Sequence, residues 1–280
     1  MDTPLLHADK QELAAAVEGN LLALYRSFQA LPGAELVESD RLCYHHAFPS
    51  NPLFKAAWRA RLPHAETDAA IDRVIDWYKV RNAPYFYWWV DPQTLPGDLP
   101  VHLLARGFTE FGSGMPCMGA DLNHLNEEIP PPEGFSLRWV GSFLDLEAWR
   151  DVFVAAYNAP AFAGQAPELL GQAWVDATLS LGIDQAPWQM VLGLLDGKPV
   201  ASGTYFKGAG VVGALNIGTL ASARGRGVGA AITLQPLLTA RQQGYRYAVL
   251  FSSNMGYPLY LRLGFQDLDY RLSRYIWVNG

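Results

Sequence analysis

Residues 223–231 read ARGRGVGAA, with glycines at 225, 227 and 229 and arginines at 224 and 226. Glycine lets a backbone take positive φ and come close to a bulky group. The preceding run, VVGALNIGTL (211–220), has strand character, and a helix follows to about Gln243, stopped by Gly244. Free amides at a helix N-terminus carry partial positive charge and hold phosphate. The stretch therefore reads as an anion-binding turn between a strand and a helix.

Several loops bind anions at such a junction. A Walker A loop needs Gly-Lys-Ser/Thr, which is absent. Gly225, Gly227 and Ala230 satisfy the dinucleotide pattern G-x-G-x-x-G/A. That reading also needs an acid at the end of the next strand to hold a ribose. The next strand, YAVLFSS (247–253), ends in Ser252, Ser253 and Asn254, and a hairpin rather than a βαβ series precedes the loop. A third pattern fits better. Arg224-x-x-Gly227-x-Gly229 resembles the pyrophosphate loop, Gln/Arg-x-x-Gly-x-Gly/Ala, of the Gcn5-related N-acetyltransferase (GNAT) superfamily. LYLRLGF (259–265) resembles that family's LYxxxGF. The order of elements from 135 to 280 is also similar: strand, two helices, three antiparallel strands, loop, helix, strand, helix, strand.

The resemblance implies a mixed α/β fold with a mostly antiparallel sheet, and acetyl-CoA as co-substrate. It implies that pantetheine pairs with backbone at Ile217, Gly218 and Thr219. The pyrophosphate would sit on amides of Gly225, Arg226, Gly227, Val228, Gly229 and Ala230, with Arg224 and Arg226 adding charge. Ser253 stands where many members carry an asparagine, and Asn254 is one residue late, so both are expected cofactor contacts. Tyr260 stands at the family's general acid, with Tyr257 as fallback donor. Some relatives use a glutamate base on the fourth or fifth strand. Asn216 and Ala248 occupy those regions here, and all six histidines precede residue 130, so no base is read. Pro236, inside the helix after the loop, is expected to kink it.

The rest of the chain divides at LNEEIPPPEG (125–134), whose three prolines suit neither a helix interior nor a central strand. The expected domains are 1–129 and 130–280. In the second, FSLRWV (135–140) reads as a strand, and helices are expected near 143–157 and 166–181. WQMVLGLLD and PVASGTYF flank Asp196-Gly197, a hairpin signal. A final strand covers about 270–278. In the first, Leu13, Val17, Leu21, Leu24 and Phe28 mark a helix stopped by Gly33. ELVES (35–39) and RLCYHHAF (41–48) suggest strands, 66–80 a helix, and PYFYWWV (84–90) a buried strand. PVHLLARGF (100–108) echoes PLYLRLGF (258–265), and MPCMGADL (115–122) then reads as a closing strand. The first half thus looks like a degenerate GNAT-like copy. It lacks the glycine loop and has His102 in place of the tyrosine, so CoA binding in the family manner is not expected there.

Composition bounds the partners. The chain has 280 residues, 50% hydrophobic and 17% charged, with a net charge of −6, which fits a globular protein and not a general nucleic-acid binder. Cys43 and Cys117 form no CxxC pair, so neither disulfides nor structural zinc are expected, and a reducing cytoplasmic setting fits. Cys43, His45 and His46 lack a second ligand pair at metal-site spacing, and no metal centre is read. Trp88-Trp89 reads as core filling. Neither a secretory leader nor a membrane span is expected. The acceptor is read only as a small-molecule or peptide amine, and the sequence is silent on oligomeric state. Two other classes stay open: a non-catalytic CoA-binding or sensing module, and an NAD-dependent oxidoreductase.

Overall fold

The computed structural model describes residues 3–47, 54–112, 114–158 and 166–279. Phe48, at the end of the expected strand RLCYHHAF, lies outside them. In chain order the elements are α1 (Lys10–Ser27), β1 (Glu35–Glu38), β2 (Cys43–His46), β3 (Lys55–Trp58), α2 (Thr67–Val80), β4 (Tyr85–Val90), α3 (Leu99–Ala105), β5 (Thr109–Glu110) and β6 (Met115–Asp121). There follow β7 (Phe135–Trp139), α4 (Phe143–Tyr157), α5 (Pro167–Leu181), β8 (Trp188–Leu195), β9 (Lys198–Gly208), β10 (Val211–Thr219), α6 (Val228–Gln242), β11 (Tyr247–Phe251), α7 (Tyr257–Arg262) and β12 (Gln266–Val278). No described helix is long and apolar enough to cross a membrane.

The chain forms two compact units. One comprises Met1–Leu24 and Cys117–Asp269, the other Tyr25–Pro116 and Tyr270–Gly280. The division does not fall near residue 130. The proline run lies inside the first of these units, joining β6 to β7.

In the unit that holds the glycine run, β7 to β10 form an antiparallel meander, with Phe135 opposite Leu195 and Trp188 opposite Phe206. The β8–β9 turn forms at Asp196 and Gly197, whose φ of 51° and 77° suit a two-residue hairpin. β11 then runs parallel to β10, with α6 between them in sequence. The sheet continues through β6, whose Cys117–Asp121 segment lies antiparallel to β11. The core collects Met118, Val191, Tyr205, Val228, Ile232, Leu237, Leu250 and Phe265.

In the other unit, β1, β2 and β3 are antiparallel, and β4 runs parallel to β3 after α2. The end of β12 lies antiparallel to β4, with Ser273 opposite Val90. Trp88 is fully buried in a core with Ile71, Tyr78, Phe86, Leu99, Leu103 and Trp277, so the tryptophan pair fills core as expected.

Both units repeat one plan: antiparallel strands, helix, parallel strand, helix, closing strand. The closing strands are exchanged in sequence. MPCMGADL does not close the sheet of its own half; residues 117–121 pair with β11, and the last strand of the chain pairs with β4. Apolar alternation marks a strand and its buried face but names no partner, so the exchange left no trace in the sequence pattern.

Candidate active site between diverging strands

β9 and β10 pair continuously except for one extra residue between Leu215 and Gly218. Asn216 sits there at φ 54°. Its amide donates to Thr204 Oγ1 at 3.2 Å, and its carbonyl accepts from Ser202 Oγ at 3.4 Å. A bulge bends and twists its strand. Before it, β10 pairs with β11 at Val212–Ala248 and Gly213–Val249; beyond, β10 runs on to Thr219 and β11 to Phe251 with no further registered pair. The two parallel strands therefore part at their C-terminal ends.

A cavity of about 800 Å³ opens at this point. Its wall includes Ile217, Gly218 and Thr219 of β10, then Arg224, Gly225, Gly227, Gly229 and Ala230 of the loop, then Ser253 and Tyr260. The loop adopts the conformation its glycines permit. Gly225 and Gly227 have φ of 74° and 88°, and Gly227 caps α6 from the left-handed region. The amides of Val228, Gly229 and Ala230 belong to the first turn of α6, have no partner within the helix, and make no other backbone bond among the described residues. A Cβ at Gly225 would meet nothing within 4 Å. This is a helix N-terminus with open space before it.

Some expected contacts stand elsewhere. Arg226 and Asn254 are exposed and do not line the cavity, and Val228 is buried beneath the loop. Arg224 lines the cavity, but its Nε donates to the Thr219 carbonyl at 3.0 Å and its Nη2 to the Ala156 carbonyl at 3.1 Å. It braces the loop against the ends of β10 and α4. The Tyr257 hydroxyl donates to Asp267 at 2.8 Å, away from the cavity wall.

The LYLRLGF stretch has a physical reading. Gly264, at φ 99°, ends α7, and a Cβ there would lie 3.0 Å from the His124 carbonyl. The Phe265 amide turns back to the Tyr260 carbonyl at 3.0 Å, and its buried ring packs near Tyr260 with centroids 5.7 Å apart. Gly256 leaves room for Tyr260, whose ring would lie 2.9 Å from a Cβ there. The helix ending thus fixes the Tyr260 ring at the cavity wall.

Two further tyrosines approach Tyr260. The Tyr157 hydroxyl, from the end of α4, donates to the Ile217 carbonyl at 3.3 Å, and the Tyr205 hydroxyl donates to the Ile232 carbonyl at 2.7 Å. Burial pushes all three phenols above their ordinary value, and for Tyr157 and Tyr205 the neighbouring Tyr260 adds to the rise. Tyr260, whose shift comes from burial alone, lines the cavity. Tyr157 and Asn126 also line the wall and lie outside the motifs, in α4 and at the proline run; Arg262 lines it from a variable position inside LYLRLGF. Among the described residues, none that lines the cavity is a carboxylate or a histidine.

The corresponding place in the other unit is closed. Arg59 follows β3 at φ 55°, as Asn216 interrupts β10. The chain then stays bonded across the gap: Leu95 N to Ala60 O at 3.0 Å and Leu62 N to Leu95 O at 2.9 Å. Backbone pairing there replaces the opening that separates β10 from β11.

Solved structures with this fold are known. The chain is similar to a GCN5-related N-acetyltransferase from Kribbella flavida, at 22% identity and TM-score 0.68, covering 95% of this chain and 96% of that one. It is similar to a GCN5-related N-acetyltransferase from Sphaerobacter thermophilus, at 17% identity and TM-score 0.60, covering 95% and 91%. A tandem GNAT protein from the clavulanic acid biosynthesis pathway matches at 14% identity and TM-score 0.58, covering 95% and 92%. No protein-family model and no curated protein matches the sequence. The chain has the GNAT fold, mixed α/β with a mostly antiparallel sheet.

Proposed function

We propose that this protein transfers an acetyl group from acetyl-CoA to a primary amine by direct attack. The observation that carries the reading is one cavity bounded by a splayed strand end, by unpaired first-turn amides of α6, and by the Tyr260 ring. The residues fit the substrate. An extended pantetheine arm suits the strand edge at Ile217–Thr219, where the parallel partner has withdrawn. A diphosphate suits the start of α6, where the dipole and the amides of residues 228–230 favour negative charge. The glycines leave room for it.

In the reaction the amine nitrogen bonds to the thioester carbonyl carbon, the C–S bond breaks, and the sulfur leaves with the electron pair. The net proton moves from the amine to the thiol. Tyr260 is the group to stabilise the sulfur. Burial raises its pKa, so the phenol stays protonated at neutral pH and donates a hydrogen bond as charge develops. Full ionisation of a buried phenol is uphill against a thiol of ordinary pKa ~8.5. Tyr260 therefore acts as a donor that is replenished, not as a lasting proton source. The amine loses its proton to water, and proximity supplies much of the rate, up to ~7–11 kcal/mol of the barrier.

The test is free-thiol release with a panel of amines, on wild type and Tyr260→Phe. Turnover should fall by ~10²-fold or more, with acetyl-CoA affinity by calorimetry retained. Absence of both binding heat and turnover would refute the proposal. The lack of a carboxylate or histidine among the described lining residues favours one second reading, a CoA-binding module without turnover. That reading predicts binding heat, no thiol release with any amine, and no effect of Tyr260→Phe.

A further inference from the structure

The turn before α2 and the start of α3 bring together His64, Asp98 and His102. His64 opens a short helical turn ahead of α2, Asp98 caps α3, and His102 lies one turn further on. The His64 Nε2 is 3.3 Å from Asp98 Oδ2, and the His102 Nε2 is 3.7 Å from the same oxygen. All three atoms lie within 4.8 Å of one another. Ligands of a tetrahedral zinc ion, each about 2.0–2.1 Å from the metal, are about 3.4 Å apart. The two measured separations bracket that distance, and rotation of the exposed His64 ring sets the third.

The surrounding bonds orient His102 as a ligand. Its Nδ1 meets Asp68 Oδ1 at 2.6 Å. A carboxylate only accepts, so Nδ1 donates to it, and Nε2 is the ring atom turned towards Asp98. At 3.7 Å, Nε2 and Asp98 Oδ2 are too far apart for an ordinary hydrogen bond, and the gap matches the separation of two ligands on one ion. Asp68 is itself held by Arg106 at 2.9 Å, and Arg106 also binds Asp72 at 2.8 Å. A ligating histidine backed by a carboxylate is the usual outer shell of a metal site. The carboxylates of Asp68, Asp72 and Asp98 outnumber the one guanidinium, Arg106, that is bonded among them. This offsets the partial positive charge of the helix starts, which opposes a cation.

We propose that His64, Asp98 and His102 form a binding site for a divalent transition metal of the Zn²⁺ type. Two imidazoles with one carboxylate select such an ion over Mg²⁺ or Ca²⁺. The side chains of His64 and Asp98 are 69% and 51% exposed, so a fourth position faces solvent and takes water or a donor from another molecule. Leu99 and Leu103 of α3 share a core with Ile71 and Val74 of α2. The ion therefore pins together the entries of two packed helices.

The full chain, stripped of metal with a chelator, is titrated with Zn²⁺ against a chromophoric competitor, and separately with Co²⁺ followed by visible absorption. One equivalent should bind, the Co²⁺ complex should show the intense bands of a low-symmetry site, and excess Zn²⁺ should raise the melting temperature. His64→Ala and His102→Ala should each weaken Zn²⁺ by at least ~10-fold, and Asp68→Asn, which spares the ligands, by ~10–100-fold. His7→Ala and His124→Ala should leave the titration unchanged. Zn²⁺ binding by wild type that survives His64→Ala and His102→Ala overturns the site. So does wild type that takes up no Zn²⁺ or Co²⁺, which leaves only a hydrogen-bonded His–Asp network. Because the Co²⁺ spectrum needs only wild type, a variant that fails to fold does not remove the test.

Discussion

The Tyr205 hydroxyl donates to the Ile232 carbonyl at 2.7 Å, four residues before Pro236 in α6. Proline has no amide for the carbonyl four residues back, and a proline inside a helix usually breaks or kinks it. α6 nevertheless runs from Val228 to Gln242 as one element. A side chain from β9 supplies the missing donor. Tyr205→Phe should leave the Ile232 carbonyl buried and unsatisfied, at a cost of about 1–3 kcal/mol in urea unfolding. Pro236→Ala restores an amide to the same carbonyl. In that background the Tyr205→Phe cost should drop below about 1 kcal/mol. Equal costs in both backgrounds would mean that the hydroxyl does not replace the amide.

Gly227 combines two roles that substitution can separate. Its φ of 88° disfavours any residue with a Cβ, while the nearest atom to such a Cβ is Pro132 Cδ at 3.7 Å. The strain is thus conformational, about 1–2 kcal/mol for alanine. Asparagine tolerates the left-handed region better. Gly227→Asn should therefore melt closer to wild type than Gly227→Ala. Both side chains stand at the cavity wall, so both should raise the acetyl-CoA Kd by at least ~10-fold, a loss of about 1.4 kcal/mol. Calorimetry and thermal melts on the pair read the two effects separately.

The parts of this architecture that were legible are those written in local chemistry. The glycine loop between a strand and a helix and the Asp196-Gly197 hairpin each depend on residues within a few places of one another. What could not be read depends on partners far off in sequence. Asn216 looks like a strand residue until its side chain is seen holding a bulge against Thr204. Arg224 looks like an anion ligand until the Ala156 carbonyl, 68 residues away, is seen to accept from it. The strand at Cys117–Asp121 carries the right apolar pattern, yet its partner β11 lies beyond the proline run. His64 and His102 are separated by a helix, a strand and a turn, and no spacing rule joins them.

Gly218 marks the closest approach of α4 to the diverging strand. A Cβ there would lie 2.9 Å from the Ala156 Cβ and 3.2 Å from the Tyr157 ring. Gly218→Ala should cost about 1–3 kcal/mol by overpacking. It should also displace the Tyr157 ring, lowering acetyl-CoA affinity. Ala156→Gly removes the atom that obstructs, so the double variant should recover part of the stability. A double variant no more stable than Gly218→Ala alone would show that the clash lies elsewhere.

His45 gives the pH dependence of the other unit. It is fully buried on β2, its ring centroid 4.2 Å from that of Tyr25, and its carbonyl accepts from the Tyr78 hydroxyl at 2.6 Å. Burial, and then the positive charges of His46 and Lys55, push its pKa down to about 3. An unfolded histidine titrates near 6.5. Between these values the unfolded chain takes up a proton that the folded chain refuses. The stability tied to a neutral His45 is thus complete above about pH 6.5 and is lost as pH falls towards 3. The limiting slope is about 1.4 kcal/mol per pH unit for one proton. His45→Phe keeps an aromatic ring against Tyr25 and removes the titration. Wild type should lose melting temperature steeply between pH 6.5 and 4, and the variant should lose less across the same interval. Parallel curves for the two proteins would assign the acid sensitivity to other groups.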